Sequence, residues 1–256
     1  MKSIISRDNP TFKLLKKLAE SARERRKAGQ ALLDGVHLVE ACLQAGIPPR
    51  QLVVSESGVK HPEVAALLAR GDQFNTLCLP DALFADITPV ETPVGILAVI
   101  DIPSLPVPAH PGFALMLEDL QDPGNLGTIL RSAAAAGVQA VWLSSGCVDA
   151  WSPKVLRAGM GAHFTLPIVE RVDLPAVVAG FHGDTLAACL GGKSLYSLDL
   201  TGPVAFMIGN EGAGLSAGLI EAAKVRFTIP MPGRIESLNA AAAASICLFE
   251  RVRQAG

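Results

Sequence analysis

The 256-residue chain predicts an α/β protein in two parts, the second built on a parallel sheet covered by helices. Three observations carry this. Short apolar runs alternate with helical patterns along the chain, as in sheets buried on both faces. A proline-dense stretch, IPSLPVPAHP from Ile102 to Pro111, divides the alternation. Three later apolar runs end in glycine and polar residues just before a helix, where open parallel sheets hold their ligands.

In the first part, residues 1–101, Asn9 and Pro10 supply an N-cap and a first-turn proline for one basic helix reaching about Ala28, and Gly29 suits its end. Apolar runs follow at 31–33, 51–54, 74–79 and 95–100, separated by helical patterns near 36–44, 62–70 and 81–86. The sum is a small α/β domain. Pro103, Pro106, Pro108 and Pro111 fix φ and lack amide hydrogens, so 102–111 reads as a stiff linker. The second part, 112–256, predicts strands near 113–117, 140–143, 165–169, 185–188, 204–208 and 226–229. Its last helix, roughly Ser237 to Arg253, places Leu238, Ala241, Ala242, Ser245, Leu248, Phe249 and Val252 on one stripe. The alanine run leaves a low-relief surface for a loop, a sheet or a second subunit.

Half the residues are apolar and 18% are charged, with no long uncharged apolar run, which excludes disorder and a spanning helix as readings. The opening MKSIISRDNPTFKLLKK has neither an apolar core nor a cleavage site, so no secretory signal is expected and the cytoplasm is the default. The five cysteines are scattered without a C-x-x-C pair, and the five histidines show no ligand spacing; no metal is assigned. Net charge is −2, yet residues 1–30 hold nine Lys or Arg against three acidic residues. Arg23, Arg25, Arg26 and Lys27 form either a solvated helix face or a phosphate-contacting arm.

Three segments carry candidate chemistry. In LEDLQDPGNLGTILRSAAAAGV (117–138), Asp122-Pro123-Gly124-Asn125 turns into a helix opening at about Leu126, and Arg131 lies beside an alanine-rich face. Asn125 reads as a cap or as a site residue; a guanidinium such as Arg131 in that company snorkels to solvent or meets an anion. In FMIGNEGAGLS (206–216), Gly209, Gly212 and Gly214 with Asn210 and Glu211 permit close approach to backbone amides. The spacing is neither a Walker loop nor a dinucleotide fingerprint, which counts against a nicotinamide-dependent oxidoreductase. In IPMPGRIESLNAAAAASICLFE (229–250), Ser237 is a plausible N-cap, and Asn239 offers a donor and an acceptor on the first turn.

Together these segments, in this order, resemble the SpoU-type (TrmH-like) branch of the SPOUT RNA methyltransferases over roughly residues 113–253. LLDGVHLVEACLQAG resembles the ribosomal-protein-like substrate-binding domain that precedes such enzymes. The resemblance implies a parallel sheet with a C-terminal trefoil knot, a homodimer joined partly through the last helix, and S-adenosylmethionine as cofactor. Carried onto this chain, the cofactor would touch Leu186, Ala187, Ala188, Gly209, Asn210, Gly212, Ile229, Met231 and Leu238. Asn125, Arg131, Glu211, Ser237 and Asn239 would be the polar site residues. The implied reaction is methylation of a ribose 2′-hydroxyl in structured RNA, with ribosomal RNA preferred; transfer RNA and a non-catalytic RNA-binding module are the alternatives. The chain departs from the family pattern at Ala241, where a hydroxyl is common, and at Asp34, where Glu is usual.

Overall fold

Asn9 and Pro10 open the first helix in a computed structural model of the chain, which describes residues 1–70 and 74–256. The Asn9 side chain accepts from the Thr11 amide, and Phe12, Leu15 and Leu18 make the buried stripe of α1 (Pro10–Glu20). The single helix expected as far as Ala28 is two. Ser21 is extended (φ −121°, ψ 113°), and its hydroxyl accepts from the Glu24 amide to start α2 (Ala22–Ala28), which Gly29 closes at φ 62°. The cause is local, because Ser21-Ala22-Arg23-Glu24 is the S-x-x-E pattern of a helix start.

The chain divides into two compact units, Met1–Pro103 with Trp151–Phe164, and Ser104–Ala150 with Thr165–Gly256. In the first, β1 (Lys2–Ser3), β2 (Gln30–Asp34), β3 (Gln51–Ser55), β4 (Thr76–Leu79) and β5 (Ile96–Asp101) form a sheet in the order β1-β4-β3-β5-β2. β5 runs antiparallel to both its neighbours and the other pairings are parallel. α3 (Val36–Gln44), α4 (Pro62–Ala69) and α5 (Asp81–Ala85) complete it. Phe12, Leu15 and Leu18 pack with Leu32, Val53, Leu97 and Phe84 in its core.

In the second unit every pairing is parallel, in the order β11-β9-β10-β6-β7-β8. The strands are β6 (Phe113–Leu117), β7 (Ala140–Leu143), β8 (Ile168–Val169), β9 (Asp184–Ser194), β10 (Val204–Ile208) and β11 (Val225–Thr228). The helices are α6 (Pro123–Ala136), α8 (Leu174–Gly180), α9 (Ala217–Ala222) and α10 (Ala240–Ala255). Between β7 and β8 the chain leaves this unit: Trp151–Phe164, containing α7 (Pro153–Gly159), clusters with the first unit, where α7 packs on β2. The contiguous second part expected from 112 onward is therefore interrupted. β6 and β10 are adjacent and buried throughout, and the chain runs from β6 to β7 and β8 on one side but places β10, β9 and β11 on the other. Their carboxyl ends flank the resulting switch point, where a ligand crevice is expected.

Three further expectations change. β8 is only Ile168–Val169, short of the run predicted from Thr165. β9 continues past Ala188 to Ser194 because its register with β11 jumps from Ala187 to Lys193; Gly191 takes φ 76°, and a Cβ on Gly192 would lie 2.5 Å from the Phe227 nitrogen. α10 begins at Ala240 and buries Ala240, Ala241, Ala244, Cys247 and Leu248, leaving Phe249 and Val252 exposed. It packs on α6, where the hydroxyls of Ser132 and Ser245 meet at 2.9 Å.

Candidate active site

Three strand ends of the second unit deliver the polar residues of the site. After β6, Asp122 caps α6: its Oδ1 accepts from the Asn125 amide at 2.7 Å, and Pro123 fills the first turn. The helix thus opens at Pro123 instead of near Leu126, and capping by Asp122 frees the Asn125 side chain. Asn125 Nδ2 donates to Glu211 Oε1 (3.1 Å), while its Oδ1 accepts from Asn239 Nδ2 (2.9 Å). Asn239, not Ser237, caps α10, its Oδ1 accepting from the amides of Ala241 (2.9 Å) and Ala242 (3.3 Å). Glu211 also accepts from the backbone amides of Gln121 (3.2 Å) and Asp122 (3.1 Å). One chain of hydrogen bonds thus joins the three junctions.

The charge state of Glu211 follows from these bonds. Partial burial pushes its carboxyl up, but bonds from the Asn125 side chain and from the amides of Glu211, Gln121 and Asp122 outweigh this and hold it below its ordinary value. At neutral pH Glu211 is an ionised acceptor that orients its donors and a weak base.

Beside this network lies a cavity of about 530 Å³, within the range usual for small-molecule sites. Of the cofactor residues expected, Ala188, Gly209, Asn210, Gly212, Ile229, Met231 and Leu238 line it, together with Glu211 and Ser237. Leu186 and Ala187 do not: both are sealed inside β9, Ala187 in the core of the unit. Sequence reasoning missed Cys189, Leu190, Phe227, Thr228 and Glu236 on the wall. The first two reach it through the break in β9 register, which the Gly191-Gly192 pair signals. Gly209 is required by close packing, since a Cβ there would stand 2.2 Å from the backbone of Gly214 and Leu215. Asn210 Oδ1 accepts from the amides of Gly212 and Ala213, both at 2.9 Å, and shapes the loop.

Arg131 lies exposed on α6, and its guanidinium makes no hydrogen bond or ion pair among the described residues, so the network does not include it. Ser237 reaches the cavity wall but caps nothing. In the first unit Arg23, Arg26 and Lys27 are exposed. Arg25 is not: it is buried, and its Nη1 donates to the carbonyls of Leu18 (2.7 Å) and Ala19 (3.2 Å), closing the end of α1. That leaves it no guanidinium face for a phosphate and removes it from the basic arm. Among the described residues, no group of three or more His, Cys, Asp or Glu could hold a metal ion, and no helix is long and apolar enough to cross a membrane.

The SpoU rRNA Methylase family model matches residues 112–249, and the MRM3-like substrate binding domain matches residues 9–98. The 23S rRNA (guanosine(2553)-2′-O)-methyltransferase RlmP of Bacillus subtilis is 36% identical over 97% of this chain and 98% of its own. The mitochondrial rRNA methyltransferase 3 of Mus musculus is 36% identical over 93% of this chain and 70% of its own. Among solved structures, the SpoU methyltransferase AviRb from Streptomyces viridochromogenes, in complex with the cofactor AdoMet, aligns with a TM-score of 0.86 and 28% identity over 96% of this chain and 98% of that one. With more than half its length matched by one family model and the three motif junctions joined around one cavity, the chain belongs to the SpoU rRNA methylase family.

Proposed function

We propose that this chain transfers a methyl group from S-adenosylmethionine to the 2′-oxygen of a ribose in ribosomal RNA. The observation that carries the cofactor reading is the charge of the cavity wall. Among the described residues, Glu211 and Glu236 are its charged groups, and no Lys or Arg lines it. Such a wall repels a pyrophosphate and suits a cation, which disfavours a dinucleotide. The glycine loop and the aliphatic Leu190, Ile229 and Leu238 suit an adenine ring and the methylene groups beside a sulfonium.

Bound there, the cofactor supplies a methyl group on a sulfonium, an electrophile with a good leaving group. The chain supplies alignment and charge. Asn125, Glu211 and Asn239 hold the three junctions together. Arg131, exposed on α6, grips the phosphate beside the target ribose and stabilises the developing alkoxide; a guanidinium is a poor base, so the hydroxyl proton leaves to solvent. Arg131→Ala should leave cofactor affinity intact and lower transfer by roughly 10²–10³-fold, measured by calorimetry and by labelled-methyl transfer. Unchanged turnover removes Arg131 from the mechanism.

The ribosomal target is supported by the relatives' names and by the MRM3-like domain match. Relatives are named for guanosine and for uridine, so what they share is the ribose oxygen. Mapping positions of ribosomal RNA that become resistant to alkaline cleavage after methylation by this chain tests the target, and sites confined to transfer RNA reject it. The enzyme works in the cytoplasm as a homodimer with a knotted second unit. Ile235 (73% exposed), Phe249 (47%) and Val252 (37%) are the apolar side chains we assign to the dimer face.

A further inference from the structure

The Gly209–Ser216 loop supplies a large share of the cavity wall, and its internal backbone bonding is the exchanged pair between Asn210 and Gly214. Its ends are held from outside by two consecutive residues after β6. Glu118 accepts from both the amide and the hydroxyl of Ser216, each at 2.7 Å. The Asp119 carbonyl accepts from Asn210 Nδ2 at 2.8 Å, the same side chain whose Oδ1 shapes the loop. Neither acid lines the cavity.

Asp119 presents that carbonyl from a left-handed backbone, φ 53°, a region that Asp and Asn enter more readily than other residues with a β-carbon. Several contacts fix it there. Ser144 Oγ accepts from the Asp119 amide (2.9 Å) and donates to its Oδ1 (2.5 Å). Gln121 Nε2 bridges the carbonyls of Asp119 (3.3 Å) and Gly146 (2.5 Å). Gly146 packs so closely that a Cβ would lie 2.2 Å from Asp119 Oδ1. A strained residue so thoroughly constrained marks a position where conformation serves function.

We propose that Glu118 and Asp119 are positioning residues that clamp the two ends of the cavity loop, holding it in binding shape before the cofactor arrives. The proposal rests on reading the cavity as the S-adenosylmethionine site. A preformed loop spares the ordering cost that a mobile one incurs on binding.

The test uses the full chain, S-adenosylmethionine calorimetry, steady-state kinetics and hydrogen exchange of the ligand-free loop. Glu118→Ala and Asp119→Ala should each weaken cofactor binding ~tenfold, the scale of one lost charged or strained contact. They should also speed exchange at the Gly212 and Ala213 amides. KM for the cofactor should rise while kcat at saturation and KM for RNA stay within ~twofold, since only ground-state and transition-state binding are weakened alike. Asp119→Asn, which keeps left-handed tolerance and an acceptor for Ser144, should restore wild-type affinity, and Asp119→Gly should fall between. Should Glu118→Ala fail to fold, Ser144→Ala, which touches neither loop nor cavity, must still weaken binding and loosen the loop. Wild-type affinity and exchange in the folded alanine variants, or equal loss in Asp119→Asn and Asp119→Ala, overturns the clamp. Accelerated exchange in the variants of a wild-type chain that ignores millimolar cofactor would retain the clamp and reject the cofactor assignment.

Discussion

Glu211 is the residue on which the motifs meet, and its ionisation is the handle on them. Because its folded-state pKa lies below the ordinary 4.5, its bonds stabilise the fold fully above that pH, and the contribution disappears as pH falls through the lower, folded-state value. Glu211→Gln removes the titration, so the Tm advantage of wild type over this variant should be constant near neutrality and shrink below pH 4.5. The group is exposed, so solvent screening limits the effect to ~1 kcal/mol. A Tm difference independent of pH would show that the carboxylate's bonds contribute nothing net. Much at this scale is legible in sequence: Asn125, Glu211 and Asn239 stand at strand-to-helix junctions, where polar side chains are free to converge. The cap of α10 is less so, since Ser237 and Asn239 both suit the role and only the aim of Asn239 Oδ1 at two amides decides it. The left-handed Asp119 has no signal beyond the residue type.

Elements obey their local chemistry where it is unambiguous. The limits of α3, β6, β7 and β10 match their predicted ranges, because each is bounded by breakers or by a change of periodicity. The basic helix does not, since the Ser21–Glu24 cap overrides continuous helical periodicity and turns Arg25 inward. That break sets the buried Arg25 apart from the exposed Arg23, Arg26 and Lys27. Arg25→Ala should cost ~1–3 kcal/mol in denaturant unfolding, the scale of a lost charged bond to buried carbonyls, with the salt slope of RNA binding unchanged. Reversing Arg23, Arg26 and Lys27 to Glu should instead leave unfolding nearly unaltered while lowering RNA affinity and flattening that slope. Identical effects from the two variants would refute the division. The β9 break is a converse case: Gly191 and Gly192 announce an irregularity, but apolar patterning alone stops the strand at Ala188.

At the scale of the whole molecule, the linker does not mark where the chain can be cut. Alternation of strand and helix continues through Trp151–Phe164, so periodicity assigns this segment to its sequence neighbours, whereas packing assigns it to the first unit. Val155 and Leu156 are fully buried and Trp151 and Phe164 nearly so. Burying four such side chains stabilises by roughly 6–12 kcal/mol as an upper bound, comparable with the entire stability of a typical domain, ~5–15 kcal/mol. A 1–103 fragment therefore lacks an apolar segment that clusters with it in the intact chain, and a 104–256 fragment carries that segment orphaned. Neither should unfold as cooperatively as the intact chain, with the first showing the larger loss of Tm and binding a hydrophobic dye. Fusing residues 151–164 to the end of the 1–103 fragment through a flexible linker should recover a sigmoidal unfolding transition. A cooperative 1–103 fragment as stable as the fused one would mean that α7 adds nothing to the unit it packs on.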